Sequence, residues 1–312
     1  MTTSDPSQKH VPAGPVDHHP AGLNRRDFLR QTSMAAAGLA VPCLRKPCRF
    51  EDRPVGDIVL RFATASDGHH GCTAYDDARH ADLARWLTAE KQGAGLDLFI
   101  HLGDLGHHRP PVYKEEISAV KKVLLKPLGV DVFAARGNHD YLDDSGWEEI
   151  IGHPPDHAFE RGDCGFIIGS STDGPAGTVR CPGADAVRRL KDQLARFARK
   201  KYVFYFSHVF PFRDLRGGQI TVACSEVTAL LHGSRNVIAS YHGHMHLTDY
   251  VLTKKAFGRD LHYCFHGRFG WTWGPWYRGY RITEIYRGGT VYTYQYDPGS
   301  QEVVNATVLG QA

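Results

Sequence analysis

Five times between residues 58 and 246 an apolar run of strand length stops at Gly, Asp, Ser, Asn or His, and this recurrence constrains the fold more than any other feature of the chain. Ile58 to Ala65 leads into Asp67, Leu96 to Leu102 into Gly103-Asp104, and Val130 to Ala135 into Gly137-Asn138-His139. Tyr202 to Phe206 leads into Ser207-His208, and Asn236 to Tyr241 into His242-Gly243-His244. Short apolar runs bounded by turn formers read as buried strands. Between them, residues 81–91, 114–126 and 185–200 carry apolar side chains at helical spacing, so helices are expected to cover a sheet. Strand ends pointing the same way in an α/β sheet bring distant residues onto one rim, where such folds place their chemistry.

Beyond His246 the helical period disappears. Leu261 to Phe265, Tyr280 to Tyr286 and Thr290 to Tyr296 read as strands, expected to belong to a second sheet of the same domain. Hydrophobic residues make up 42% and charged residues 23% of the chain, ordinary globular usage that provides for a core. The expected organisation is a leader and linker over residues 1–55 and one domain over residues 56–312.

The polar residues at the strand ends are hard oxygen and imidazole nitrogen donors, which suit first-row ions such as Zn, Mn or Fe. Asp67 and His69 are two apart, so in an extended segment their side chains face one way and grip one ion; His244 and His246 repeat that spacing. A carboxylate such as Asp104 has two oxygens and is able to bridge two ions. Glycines precede Asp104, Asn138 and His244, where a strand has to turn sharply and the backbone has to come close to the ions.

The ordered set Asp67-x-His69, Gly103-Asp104, Gly137-Asn138-His139-Asp140, His208 and Gly243-His244-Met245-His246 resembles the calcineurin-like metallophosphoesterase family, from about Ile58 to His246. The resemblance implies a four-layer α/β/β/α sandwich of two mixed sheets flanked by helices. It also implies two divalent or mixed-valence metal ions (Mn, Fe or Zn). The first would be held by Asp67, His69, Asp104 and His246, and the second by Asp104, Asn138, His208 and His244. The activity implied is hydrolysis of a small-molecule phosphodiester or phosphomonoester by metal-activated hydroxide. His139 would serve the leaving oxygen as general acid or transition-state stabiliser. Asp140 has two readings of equal weight, orienting His139 or capping the N-terminus of a following helix.

Purple acid phosphatases carry Gly in place of the first-motif His, so His69 places the chain outside that branch and favours a diester slightly. The second motif, Gly103-Asp104-Leu105-Gly106, lacks the acidic residue that many relatives have there. Two competing readings are a non-catalytic scaffold of the same fold and a metal-dependent hydrolase of another bond. His70, His107, His108 and His242 neighbour the motifs as pocket-lining residues, and the aromatic run from Phe269 to Gly279 reads as core packing rather than a substrate platform.

Residues 1–23 are too poor in large apolar side chains to order themselves. Asn24-Arg25-Arg26-Asp27-Phe28-Leu29-Arg30, followed by the small-residue apolar stretch Met34 to Leu44, resembles a twin-arginine export signal and implies contact with export machinery and an extracytoplasmic destination. Residues 1–50 hold seven Lys/Arg and three Asp, a net +4 of the chain's +3, which leaves −1 for the rest. Nucleic-acid binding is not indicated by so neutral a domain. The seven cysteines form no C-x-x-C pair and read as buried thiols, with one or two unassigned disulfides open to an exported chain.

Overall fold

The computed structural model describes residues 53–311 other than 75, 109–110, 171–178, 180, 212–223, 247–249, 257, 271–278 and 299–300. The export signal, most of the aromatic run and most of the loop at Pro211 to Gly218 lie outside the described residues. The elements in chain order begin with β1 (Ile58–Ala65), α1 (Asp76–Gly93), β2 (Leu98–His101), α2 (Tyr113–Val120), β3 (Asp131–Ala134) and α3 (Asp144–Ile151). There follow β4 (His157–Arg161), β5 (Cys164–Ile168), α4 (Ala184–Arg196), β6 (Tyr202–Phe206), α5 (Ser225–Gly233) and β7 (Val237–His242). The chain finishes with β8 (Val251–Ala256), β9 (Arg259–Phe265), β10 (Tyr280–Tyr286), β11 (Thr290–Asp297) and β12 (Glu302–Gln311).

Two six-stranded sheets result, in the orders β12-β11-β10-β1-β2-β3 and β4-β5-β6-β7-β9-β8. In the first, β1, β2 and β3 are parallel and β10 runs antiparallel beside β1. In the second, β5, β6, β7 and β9 are parallel, with β4 and β8 antiparallel at the edges. The strands after His246 thus divide between the sheets. β8 and β9 extend the second, whereas β10 to β12 return to β1, so the expectation that they all belong to a second sheet is corrected. An edge strand is completed by whichever free edge the returning chain reaches, and sequence patterning does not encode that choice.

Strand alternation sorts the side chains into layers. Phe62, Leu98, Ile100, Phe166, Phe204 and Phe206 fill the space between the sheets. The intervening residues of the first sheet, such as Ala63 and Phe99, meet Leu83, Ile117 and Trp147 from α1, α2 and α3. Those of the second, such as Val203 and Tyr205, share a cluster with Leu190, Leu194 and Leu231 of α4 and α5. The result is helix, sheet, sheet, helix. At the centre, the Phe62 ring meets Phe166, Phe204, Phe206 and Tyr241 edge-on at centroid distances of 5.5, 5.2, 6.0 and 5.7 Å, a favoured arrangement for aromatic quadrupoles.

The helix expected over residues 114–126 ends early. After Val120 the chain widens into a π turn over Lys121–Leu125 and tightens into a 3-10 turn over Lys126–Leu128. Pro127 supplies no N–H to the ladder and Gly129 turns left-handed at φ 60°, which stops the helix. Cys181 and Cys224 form a disulfide, while Cys72, Cys164 and Cys264 are free.

Replacing Phe62 by Ala empties the middle of the inter-sheet layer. The variant is expected to lose about 3–5 kcal/mol of stability, read as a lower denaturant midpoint with an unchanged slope.

Candidate metal centre

The ends of β1, β2, β3, β6 and β7 carry the loops that hold the seven predicted ligands. Main-chain bonds continue the parallel pairing past the strands: Asp67 N donates to Gly103 O at 3.1 Å, His69 N to Asp104 O at 3.0 Å, and His70 N to Leu105 O at 2.8 Å. Here the backbone departs from the extended form expected from the two-residue spacing. Asp67, His69, Asp104, His244 and His246 have φ of 58°, 45°, 55°, 67° and 46°. Each ligand pair therefore converges through left-handed residues on either side of Gly68 or Met245, not through strand alternation. Outside this site only Gln301 and Asn305 among the described non-glycine residues have positive φ. Such backbone costs on the order of 1–2 kcal/mol per residue and collects where surrounding structure imposes it.

Two glycines make the close approach possible. A Cβ on Gly137 would lie 2.2 Å from both the N and the Oδ1 of Asp104, and one on Gly243 would lie 1.8 Å from Ser66 Oγ and 2.7 Å from Asp67 Oδ2. Asp104, at the end of β2, can therefore lie directly against the loop of β3.

The donors form two groups that share one residue. Asp67, His69, Asp104 and His246 present nitrogen and oxygen atoms all within 4.8 Å of one another, as do Asp104, His208 and His244. In the first group His246 Nε2 lies 3.0 Å from Asp67 Oδ1 and 3.0 Å from His69 Nε2, and His69 Nε2 lies 3.4 Å from Asp104 Oδ2. In the second, His208 Nε2 lies 3.2 Å from Asp104 Oδ2 and 3.1 Å from Asn138 Oδ1, which adds the amide oxygen to the group. All seven predicted ligands are thereby brought together. Two imidazole nitrogens and a carboxylate oxygen pointed at one space form the donor set of a cation with nitrogen and oxygen ligands, and the shared carboxylate suits a pair of ions.

The charges are buried. Asp67 is fully buried and Asp104 nearly so. Burial alone would raise the Asp67 carboxyl, but His246 and His208 outweigh it and hold it well below the usual range. Asp104 is likewise held low by His208 and His69 against the effect of burial. Burial lowers His69 to about 3 with help from His246, so the ring is neutral, the form that a metal requires. Burial also works against a charge on His208, yet Asp104 and Asp67 raise it to about 9. A metal held here would compete with a proton for His208 Nε2. The other nitrogen, Nδ1, donates to Leu102 O at 2.7 Å, which fixes the ring as metal-bound imidazoles are usually fixed.

His139 and Asp140 lie beside this centre. His139 N donates to Asp104 Oδ1 at 2.8 Å, and its ring packs 4.8 Å from that of His69. Asp140 has neither of the roles expected of it. Its Oδ2 accepts the N–H groups of Asp104 and Gly137 at 2.9 and 2.8 Å, and its Oδ1 those of Leu105 and Gly106 at 2.8 and 3.1 Å. The carboxylate is saturated by main chain and clamps the Asp104 loop, while the cap of α3 is Asp143, which accepts from Gly146 N at 2.7 Å. Burial and the neighbouring Asp104 push Asp140 up to about 6, against the opposing pull of the Gly137 and Gly106 N–H groups.

The neighbouring histidines separate. His107 stacks on His139 at 5.3 Å with 6° between the planes, and its Nδ1 lies 3.3 Å from His69 Nδ1. His108 Nδ1 pairs with Glu116, and His70 Nε2 with Asp77 at 2.7 Å. His242 is buried beside Ser207 and Ser240. Nothing in the sequence marks Glu116, whose carboxylate accepts the N–H groups of His107 and His108.

Solved structures share this architecture. A dimetal phosphatase from Danio rerio superposes with a TM-score of 0.61 at 14% identity, covering 82% of this chain and all of that one. Purple acid phosphatase PPD1 from yellow lupin, Lupinus luteus, superposes with a TM-score of 0.58 at 12% identity, covering 80% of this chain and 53% of that one. At such identities the likeness establishes the fold alone. No curated protein matches the chain. Residues 60–248, more than half of the sequence and the span holding all seven predicted ligands, match the calcineurin-like phosphoesterase family. Fold, donor set and sequence match agree, and the chain belongs to the calcineurin-like phosphoesterase family.

Proposed function

We propose that the protein hydrolyses a small-molecule phosphate ester at a two-metal centre, with a phosphodiester favoured over a monoester. The observation that carries this reading is the position of Asp104 in both groups of converging donors. Asp67, His69, Asp104 and His246 would hold one ion, and Asp104, Asn138, His208 and His244 the other, drawn from Mn, Fe or Zn. Two such ions supply Lewis-acid polarisation of phosphate oxygens and a nucleophile from water near neutral pH. The preference for a diester rests on His69, which stands where purple acid phosphatases have Gly.

The protein's own groups do the rest. His139, anchored through its main-chain N–H to Asp104, donates a hydrogen bond to the departing oxygen. Asp140 acts on the site only through the loop it clamps, which keeps the Asp104 carboxylate aimed between the two donor groups. Ligand positions supplied by five strand ends of a packed sandwich need little rearrangement when substrate arrives, and fixed geometry of this kind is a large part of the rate.

Export is part of the proposal. A disulfide between Cys181 and Cys224 is what an oxidising compartment permits, and it supports the extracytoplasmic destination implied by the twin-arginine resemblance. Replacing Arg25 and Arg26 by Lys in a full-length reporter fusion is expected to leave the protein in the cytoplasm of a bacterial host, whereas the parent chain reaches the periplasm.

Hydrolysis of bis(4-nitrophenyl) phosphate and 4-nitrophenyl phosphate is expected to require added metal and to stop on chelation. Asp104→Ala should lower the rate by about 10³-fold or more, given the several kcal/mol that a metal pair contributes. His139→Ala should keep its metal and lose about 10²–10³-fold in kcat on the corresponding phenyl esters, whose leaving groups depart poorly. Gly137→Ala drives a methyl group into Asp104 and is expected to abolish uptake of at least one ion while the fold persists, read by metal analysis beside circular dichroism. Metal-replete, folded protein with no activity on any phosphate ester would contradict the assignment.

A further inference from the structure

His139 needs a fixed ring to serve a departing oxygen. Asp140 does not fix the ring, since its carboxylate accepts four main-chain N–H groups. The partner of His139 Nδ1 is the main-chain carbonyl of His107, at 3.0 Å. A carbonyl only accepts, so Nδ1 is the donor of that bond, and the donor role at the departing oxygen falls to Nε2 of the doubly protonated ring. The His107 ring also lies parallel to that of His139, 5.3 Å away. His107 therefore determines where the His139 ring sits, and something must hold His107 in turn.

That role falls to Glu116 on α2. Its Oε2 accepts His107 N at 2.9 Å and His108 N at 3.0 Å, and its Oε1 meets His108 Nδ1 at 2.5 Å. Glu116 is only 8% exposed, an environment costly for an acid unless its bonds are made. The surroundings are shaped for it: a Cβ on Gly71 would lie 1.9 Å from Oε1, and one on Gly106 would lie 3.2 Å from Oε2. Asp140 secures residues 104–106 of the same loop, and Glu116 takes over at 107 and 108. The two carboxylates thus divide one loop, the first serving the metal ligand and the second the histidine beside it.

We infer that Glu116 is a positioning residue for His139, acting through the His107 carbonyl and ring. This rests on the proposed role of His139 at the leaving oxygen. Gln at 116 keeps an oxygen able to accept both N–H groups, whereas Ala leaves them without an acceptor.

The test compares two leaving groups in each of three variants of the full chain. Phenyl esters, as diphenyl and phenyl phosphate, leave poorly and need a donor at the departing oxygen, while the corresponding 4-nitrophenyl esters leave easily. Glu116→Ala is expected to retain full metal content and an unchanged KM. Its kcat should fall roughly tenfold on the phenyl esters but less than about twofold on the nitrophenyl esters, a fraction of what general-acid catalysis provides. Glu116→Gln is expected to restore most of the phenyl-ester rate, and His139→Ala to show the same leaving-group dependence more strongly. Equal losses on both esters, or loss of metal in Glu116→Ala, would overturn the inference and reduce Glu116 to a support of the loop. If His139→Ala itself shows no leaving-group dependence, the role of His139 fails first and the inference falls with it.

Discussion

The Asp104 carboxylate has to face two groups of imidazoles from a position 1% exposed, and much of the surrounding structure serves that requirement. Its backbone is turned left-handed at φ 55° after Gly103 at φ 96°, and Gly137 offers no side chain to obstruct it. Asp140 fills all its lone-pair directions with N–H groups from Asp104, its two followers and Gly137. Hydrogen bonds to an ionised acceptor are among the stronger ones in proteins, and four of them on one side chain offset a strained loop. Moving any of these groups turns Asp104 away from one donor group or the other.

The centre is assembled from both sheets. Asp67, His69, Asp104 and Asn138 follow strands of the first, and His208, His244 and His246 follow strands of the second. The separation between the two halves is therefore determined by the aromatic layer around Phe62, where the sheets meet. A core that resists compression passes its dimensions directly to the site. The direct bond across the seam, from His244 N to Asp67 Oδ2 at 3.0 Å, shows how closely the halves are matched. Buried carboxylates and histidines so close together oppose folding unless they are paired, and here each carboxylate meets imidazoles from the opposite sheet.

The strands that carry ligands were legible because a parallel strand covered on both faces reads as an uninterrupted apolar run, and its end is marked by Gly or a polar donor. Tyr202 to Phe206 was legible to the residue. The left-handed turns at Asp67, His69, His244 and His246 were not, since a spacing of two residues is also the signature of an extended chain. Asp140 and Glu116 escape for a different reason. Their partners are main-chain N–H groups, which nearly every residue possesses, so no pattern of residue types announces the bond. The early end of α2 was written in Pro127 and Gly129, but the strands after His246 were divided between the sheets by long-range edge pairing alone.

The central claim is that one carboxylate serves two ions held side by side. Electron paramagnetic resonance of protein loaded with two equivalents of Mn2+ tests it most directly. Ions sharing Asp104 lie close enough to couple, so the account predicts the multiline spectrum of an exchange-coupled pair, replaced by a single-ion spectrum in Asp104→Ala. A six-line spectrum from uncoupled Mn2+ in the unmodified, fully loaded protein would contradict it.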